Sequence, residues 1–205
     1  MKPILLLAAM AAATLATTSL GHAADEISKT KADEFDIRMF TRAPGQKASA
    51  CFVRRYDAGH LAQHPNQKVS AMKLLVTAEM PEDAKQLNYS FHTGVKFRGK
   101  SGNFDASGYC NHVVAEDSGL EIRLGCGIDC EGGGINVALS KDDKSAVVRL
   151  QRIVLWERGK TNEDATDTKL ADAADRVFRV ERVDVSECAD LVPNDSEEVA
   201  DLRDK

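Results

Sequence analysis

The sequence repeatedly alternates apolar and polar residues over short stretches, and this period of two constrains the fold more than any other feature. Successive side chains of a β-strand point to opposite faces, so the pattern predicts strands with one buried and one wet face. The clearest case has apolar residues at alternate positions, namely Leu87, Tyr89, Phe91, Val95 and Phe97. The pattern returns over residues 120–130 and 135–139, and residues 146–156 and 177–183 supply two further apolar strands.

Turn signals separate these stretches and complete the prediction of the fold class. They are the segments 99–102, 132–134 and 141–144, rich in glycine or in Asp and Lys. With two more strands over residues 48–53 and 69–78, the chain has about eight short strands at intervals of 8–15 residues. This spacing is typical of an all-β fold, either an antiparallel β-barrel or a β-sandwich, with one short helix.

The N-terminal residues have the three parts of a secretory signal peptide. Lys2 is followed by an uncharged apolar run from Ile4 to Leu20, and small residues then precede a cleavage position after Ala23. We therefore expect residues 1–23 to be removed on export to the periplasm or the cell exterior. The sequence beyond them has no apolar stretch long enough for a membrane span, so we expect none in the mature form.

The remaining chain is expected to form one domain, because 205 residues is an ordinary length for a single core. Residues 24–47 are polar and mixed in charge, and we interpret them as an extended N-terminal segment. Residues 48–191 hold the predicted strands as a single β domain, and 192–205 are interpreted as a disordered acidic tail. The formal net charge of −5 argues against a nucleic-acid partner, which a basic surface would attract.

Five cysteines follow the predicted signal peptide, and an oxidising compartment favours disulfides. A three-residue loop over 117–119 would place Cys110 directly opposite Cys126, close enough for a bridge. Cys51 begins the first strand and Cys188 follows the last, so a bridge between them would join the two ends of the domain. The odd cysteine is Cys130, which is either a buried, inert thiol or a partner for another chain.

A transition metal is the one cofactor for which the sequence offers candidate ligands. Asp57 is a helix N-cap and Pro65 a helix stop, and His60 and His64 lie four residues apart between them. That spacing puts both imidazoles on one helix face, as in many metal sites. Position 61 is Leu instead of the general-base Glu of zinc peptidases. The alternative is two solvated histidines on a surface helix. Cys126 and Cys130 are separated by three residues, and there is no second pair, which argues against a zinc site.

No catalytic residues are identified in the sequence, which favours a non-enzymatic function. The chain has no Gly-x-Ser-x-Gly nucleophile motif, and Asp129 and Glu131 beside Cys130 disfavour a thiolate nucleophile. An acidic loop over 158–175 is interpreted as solvated, with a lid or a partner contact as its alternative. Two functions stay open. The first is a non-enzymatic binding module for an unknown small ligand or metal. The second is an envelope interaction protein, an inhibitor or accessory subunit acting through loops or a sheet edge.

Overall fold

Nine strands, three α-helices and one 3₁₀ helix are present in the computed structural model, which describes residues 27–42, 47–82, 84, 86–115, 121–129, 132–160, 168–170, 175–193 and 196–203. The α-helices are α1 (Lys29–Phe40), α2 (Ala58–Gln63) and α3 (Glu197–Arg203), and the 3₁₀ helix is Val185–Leu191. The strands are β1 (Ala48–Arg55), β2 (Val69–Glu79), β3 (Asn88–Phe97), β4 (Phe104–Ala115), β5 (Glu121–Ile128), β6 (Gly133–Leu139), β7 (Ser145–Glu157), β8 (Thr168–Leu170) and β9 (Val177–Val183).

The strands form one antiparallel sheet in which the pairings follow a ring. Each of the first seven strands pairs with the next, β7 pairs with β9, and β9 pairs with β1. β8 has three residues and pairs with β7 alongside the ring. The end of β7 also pairs with the start of β4. The prediction of an all-β, antiparallel fold of about eight strands tied by disulfides is confirmed.

The inner face of the ring holds the main core. Directly opposed residues of an antiparallel pair share a face, so the alternation along each strand sends one set of side chains inwards. The largest side chains buried there belong to four phenylalanines and several aliphatic residues, including Phe52, Phe91, Phe104, Phe178, Met72 and Leu74. Phe97 contacts the Phe104 ring edge-on, with a centroid distance of 5.1 Å. The ring is therefore filled by its own residues.

Both predicted disulfide pairings are present in the structure. β4 and β5 pair in the register that sets Cys110 opposite Cys126, and this bridge lies in the core of the ring. Cys51 and Cys188 form the second bridge, which attaches the 3₁₀ helix to the outer face of β1. The predicted turn 117–119 and Cys130 lie outside the described residues, as does the predicted signal peptide 1–23.

The segment 24–47, expected to be extended, contains the helix α1, and this expectation was wrong. Phe35 and Met39 are four residues apart and share a helix face. Phe40 follows at the helix end, and all three are buried against the ring core. Arg182 of β9 donates from Nη1 to the carbonyl oxygen of Met39 at 2.8 Å and from Nη2 to that of Arg38 at 3.0 Å. Carbonyls that would be unpaired at the helix end are thus satisfied.

The tail 192–205 was expected to be disordered, and α3 corrects that prediction. Val199 and Leu202 of α3 are buried in a second, smaller apolar cluster. The cluster lies on the outer face of the ring, where Cys51, Val53 and Leu75 contact the 3₁₀ helix. Two apolar residues in a charged segment give a weak signal in the sequence, and tertiary packing stabilises this short helix.

The predicted helix after β1 is present as α2, and its start is the one expected. The Asp57 side chain accepts a hydrogen bond from the His60 backbone N–H at 2.7 Å, which is the geometry of an N-cap. Across the described parts of the chain, the helices are too short or too polar to cross a membrane.

Candidate ligand-binding cleft

A cleft of about 410 Å³ lies on the outside of the ring, between the outer faces of β1–β3 and the 3₁₀ helix. We call it the basic cleft. Its apolar floor includes Val53, Ala71 and Leu191, and its polar lining includes Arg55, Lys73, Lys96, Arg158 and Asp190. A mostly apolar surface with a few fixed polar groups is the usual composition of a small-molecule site.

The wall formed by the 3₁₀ helix is fixed in place by covalent and packing contacts. The Cys51–Cys188 bridge attaches it to β1, and Leu191 packs on β3 beside Gly94. A Cβ atom at Gly94 would lie 2.6 Å from Leu191 Cδ2, so any other residue there would force the Leu191 side chain to shift. The cleft is therefore formed before any ligand arrives, which reduces the entropic cost of binding.

Asp190 holds two of the cleft cations in defined positions. Its Oδ1 accepts from Lys73 Nζ at 2.6 Å, and its Oδ2 accepts from Arg158 Nη1 at 3.0 Å. Burial alone would raise the pKa of Asp190, but the hydrogen bonds from Lys73 and Arg158 outweigh it and hold the pKa below its usual value. Asp190 is thus a carboxylate at neutral pH, shared by two cations.

Arg158 is anchored from its other side by β4. Its Nε and Nη2 donate to the two carboxylate oxygens of Asp105, a bidentate pair in which the guanidinium plane is fixed. These hydrogen bonds raise the pKa of Arg158 even though partial burial opposes the charge. The guanidinium is therefore a permanent, oriented cation at the edge of the basic cleft.

The lining of the basic cleft carries more positive than negative charge. Among its described residues, four side chains are cationic and one, Asp190, is a carboxylate, while Asp105 and Glu187 pair with two of these cations from outside the lining. This excess contrasts with the formal net charge of −5 for the whole chain. Arg55 pairs with Glu187 at 2.7 Å, but both side chains are largely exposed, so water competes with that pair. A local positive potential beside an apolar floor favours an anion that also has an apolar part.

His60 and His64, the predicted metal ligands, lie side by side near the basic cleft. Their ring centroids are 4.3 Å apart, and His60 stacks on the cleft residue Tyr56 with a centroid distance of 4.6 Å. His60 Nε2 lies 3.1 Å from Gln67 Oε1, so this nitrogen already has a hydrogen-bond partner within the protein. The described residues contain no group of three or more His, Cys, Asp or Glu side chains arranged to hold a metal ion.

The other two described histidines lie away from this pair. His112 Nε2 is 2.9 Å from Asp36 Oδ1, where α1 meets β4, and His92 lines a separate groove on the outer face of β3 and β4. The two predicted ligands are therefore brought together, and neither of the other two described histidines joins them.

The structure describes only part of the acidic loop 158–175. The loop was interpreted as solvated, but its last residue, Asp175, does not face solvent. Asp175 is fully buried, and its carboxylate accepts from the backbone N–H groups of Lys68 at 2.9 Å and Val69 at 3.3 Å. It stabilises the start of β2 instead of facing solvent. Glu163, Asp164, Asp167 and Asp172 lie outside the described residues.

The basic cleft was not predicted from the sequence. Its cations come from four positions spread over about 100 residues, and each alone resembles an ordinary polar residue on the wet face of a strand. The available signal was the predicted Cys51–Cys188 bridge, which brings residues 187–191 onto the outer face of β1. No known protein family, curated protein or solved structure matches the chain.

Proposed function

We propose that the protein is a non-enzymatic binding module that holds a small amphipathic anion in the basic cleft. The observation that carries this proposal is that four cationic side chains line an apolar floor, against Asp190 in the lining and Asp105 and Glu187 just outside it. A carboxylate or similar headgroup would lie among Arg55, Lys73 and Lys96, and an alkyl or aryl part would cover the floor. Burial of that part contributes roughly 25 cal/mol per Å² of apolar surface removed from water.

The site proposed here is on the outside of the ring and not within it. Phe91 is fully buried in the core, and Tyr89 donates a hydrogen bond from Oη to Asp36 Oδ2 at 2.6 Å. The strand faces that carry these two residues are thus occupied by packing within the protein. Export to an oxidising compartment remains part of the proposal, and the two disulfides support it.

Calorimetric titration with three ligands of similar alkyl chain length tests the proposal. Octanoate, octanol and octyltrimethylammonium differ in headgroup charge, so their comparison separates charge recognition from burial of the chain. We expect octanoate to bind more tightly than the other two, and added salt to weaken it because exposed charges are screened. Equal affinity for the three ligands, or preference for the cation, would contradict the proposal.

Two substitutions at exposed cations identify the cleft as the binding site. Arg55→Gln and Lys96→Gln should each weaken octanoate binding roughly tenfold, equivalent to about 1.4 kcal/mol, because each removes a cation from the lining. Lys141→Gln is the matched control, since Lys141 is exposed in the β6–β7 turn and does not line the basic cleft. If all three variants bind octanoate alike, the ligand lies elsewhere.

The alternative is an envelope interaction protein acting through loops or a sheet edge, and the strand order gives its sheet-edge route less support. The eight longer strands pair on both sides around the ring, and the three-residue β8 lies at an end of the order. Backbone groups for pairing with another chain are therefore few along the described strands.

A further inference from the structure

A second groove, of about 500 Å³, crosses the outer face of the ring where β4 passes from one partner strand to another. On this side, β4 pairs with β5 as far as Tyr109 opposite Gly127, and with β7 from Asp105 opposite Trp156. Residues 106–108 lie between the two pairings. We call this feature the seam groove. Its polar and aromatic lining residues are Ser90, His92, Ser107, Tyr109, Asp129 and Trp156.

Two aromatic side chains line this groove in a chain that has few aromatics. Tyr109 is 66% exposed, although large apolar side chains are usually covered. Trp156 is partly buried, packs against the core, and is the single tryptophan of the sequence. Tyr and Trp combine a large apolar face with a polar group, which suits them to contact ligands at a wet surface.

Gly127 keeps the space beside Tyr109 open without any structural need for glycine. Its backbone φ is not positive, and a Cβ atom added there would meet no atom within 4 Å. Glycine in a strand costs stability because the unfolded chain loses more conformational freedom. Gly108, by contrast, is required by packing, because its Cβ would lie 2.0 Å from the carbonyl oxygen of Gly127.

The chemistry of the seam groove differs from that of the basic cleft. Its described lining contains no Lys or Arg, so nothing there favours an anionic headgroup. Hydroxyls of Ser90 and Ser107 and the carboxylate of Asp129 are positioned to exchange hydrogen bonds with a neutral, hydroxyl-rich ligand. The rings of Tyr109 and Trp156 offer flat apolar faces. A sugar ring presents both features, since its C–H face is apolar and its hydroxyls radiate from the edge.

We propose that the seam groove binds a neutral saccharide, with a sugar ring lying over Gly127 between Tyr109 and Trp156. This is a second site, independent of the basic cleft and of the anion proposed for it.

Tryptophan fluorescence provides a direct test, because the signal of the intact protein comes from Trp156 in the groove. The probes are the neutral tetrasaccharides cellotetraose, N-acetylchitotetraose and maltotetraose. We expect at least one of them to change the emission in a saturable manner, with no competition from octanoate. If none changes the emission or gives heat in calorimetry at millimolar concentration, the proposal is overturned. Binding of an uncharged tetrapeptide in place of all three saccharides would also overturn it.

Variants locate the signal within the groove. Gly127→Val fills the open space with a residue that strands tolerate well, and it should weaken saccharide binding roughly tenfold or more. Tyr109→Ala should have a similar effect and, at an exposed position, serves if Gly127→Val does not fold. Val177→Ala is the control, because Val177 is exposed on β9 outside the groove. Unchanged affinity in folded Gly127→Val and Tyr109→Ala would refute the assignment.

Discussion

Asp36 is the buried carboxylate that joins α1 to the ring, and only 3% of its surface is exposed. One oxygen accepts from Tyr89 Oη at 2.6 Å, and the other is 2.9 Å from His112 Nε2. The rings of Tyr89 and His112 also meet edge-on, with a centroid distance of 4.9 Å. In a low-dielectric environment these hydrogen bonds are strong, and each group would be costly to leave unpaired.

The Tyr89 phenol should make stability depend on pH at the alkaline end. Burial, and then the hydrogen bond to Asp36, raise its pKa above the ordinary tyrosine value of 10.0. The stabilisation is complete below pH 10 and is lost as the pH rises from there towards the raised pKa of the folded state, because the unfolded chain releases the proton first. Between those limits, the free energy of unfolding should fall by up to about 1.4 kcal/mol per pH unit.

Urea denaturation of the parent and of Tyr89→Phe across the alkaline range measures this contribution. The variant cannot ionise at position 89, so its free energy of unfolding should decline less steeply above pH 10. Tyr109→Phe is the control for loss of an exposed phenol. Parallel pH profiles for the parent and Tyr89→Phe would show that this phenol does not control alkaline stability.

At the level of secondary-structure elements, the two disulfides stabilise different parts of the fold. Cys110–Cys126 joins adjacent strands within the core, whereas Cys51–Cys188 holds the 3₁₀ helix that forms one wall of the basic cleft. The sequence separations are 16 and 137 residues, so the second bridge constrains a far larger loop of the unfolded chain. Their removal should therefore affect stability and ligand binding in different proportions.

Paired Cys→Ala variants test this difference. Loss of Cys51 and Cys188 should reduce the free energy of unfolding by about 5 kcal/mol, and loss of Cys110 and Cys126 by about 3 kcal/mol, on loop entropy alone. Octanoate affinity should fall in the first variant, because the wall of the basic cleft is released, and hold in the second while it stays folded. Equal octanoate affinities in the two variants would show that the 3₁₀ helix does not contribute to binding.

The elements predicted from the sequence are those whose pattern is local. The β4–β5 register followed from a three-residue loop, and α2 followed from its Asp57 cap and Pro65. The helix α1 was missed because its polar face dominates the sequence and its apolar residues gain meaning only against the ring core. The helix α3 is stabilised in the same way, by Val199 and Leu202 in the outer cluster.

In the whole molecule, the apolar core lies inside the ring and the charged cleft lies on its outer face. The ring core is filled by its own phenylalanines and aliphatic residues, and the two proposed sites lie on the outer face. Neither site was predictable, since each is assembled from strands that are distant in the sequence. Arg55, Lys96 and Arg158 meet only because β1, β3 and the end of β7 are brought to one cleft.

The most direct test of the central claim is amide chemical-shift mapping of the protein by NMR during titration with octanoate. The account predicts that the largest changes cluster at the basic cleft, on the amides of Ala71, Gly94 and Leu191. Changes centred on inward-facing core residues such as Leu74 and Phe91 would place the ligand within the ring and contradict the account. An unchanged spectrum at saturating octanoate would contradict it as well.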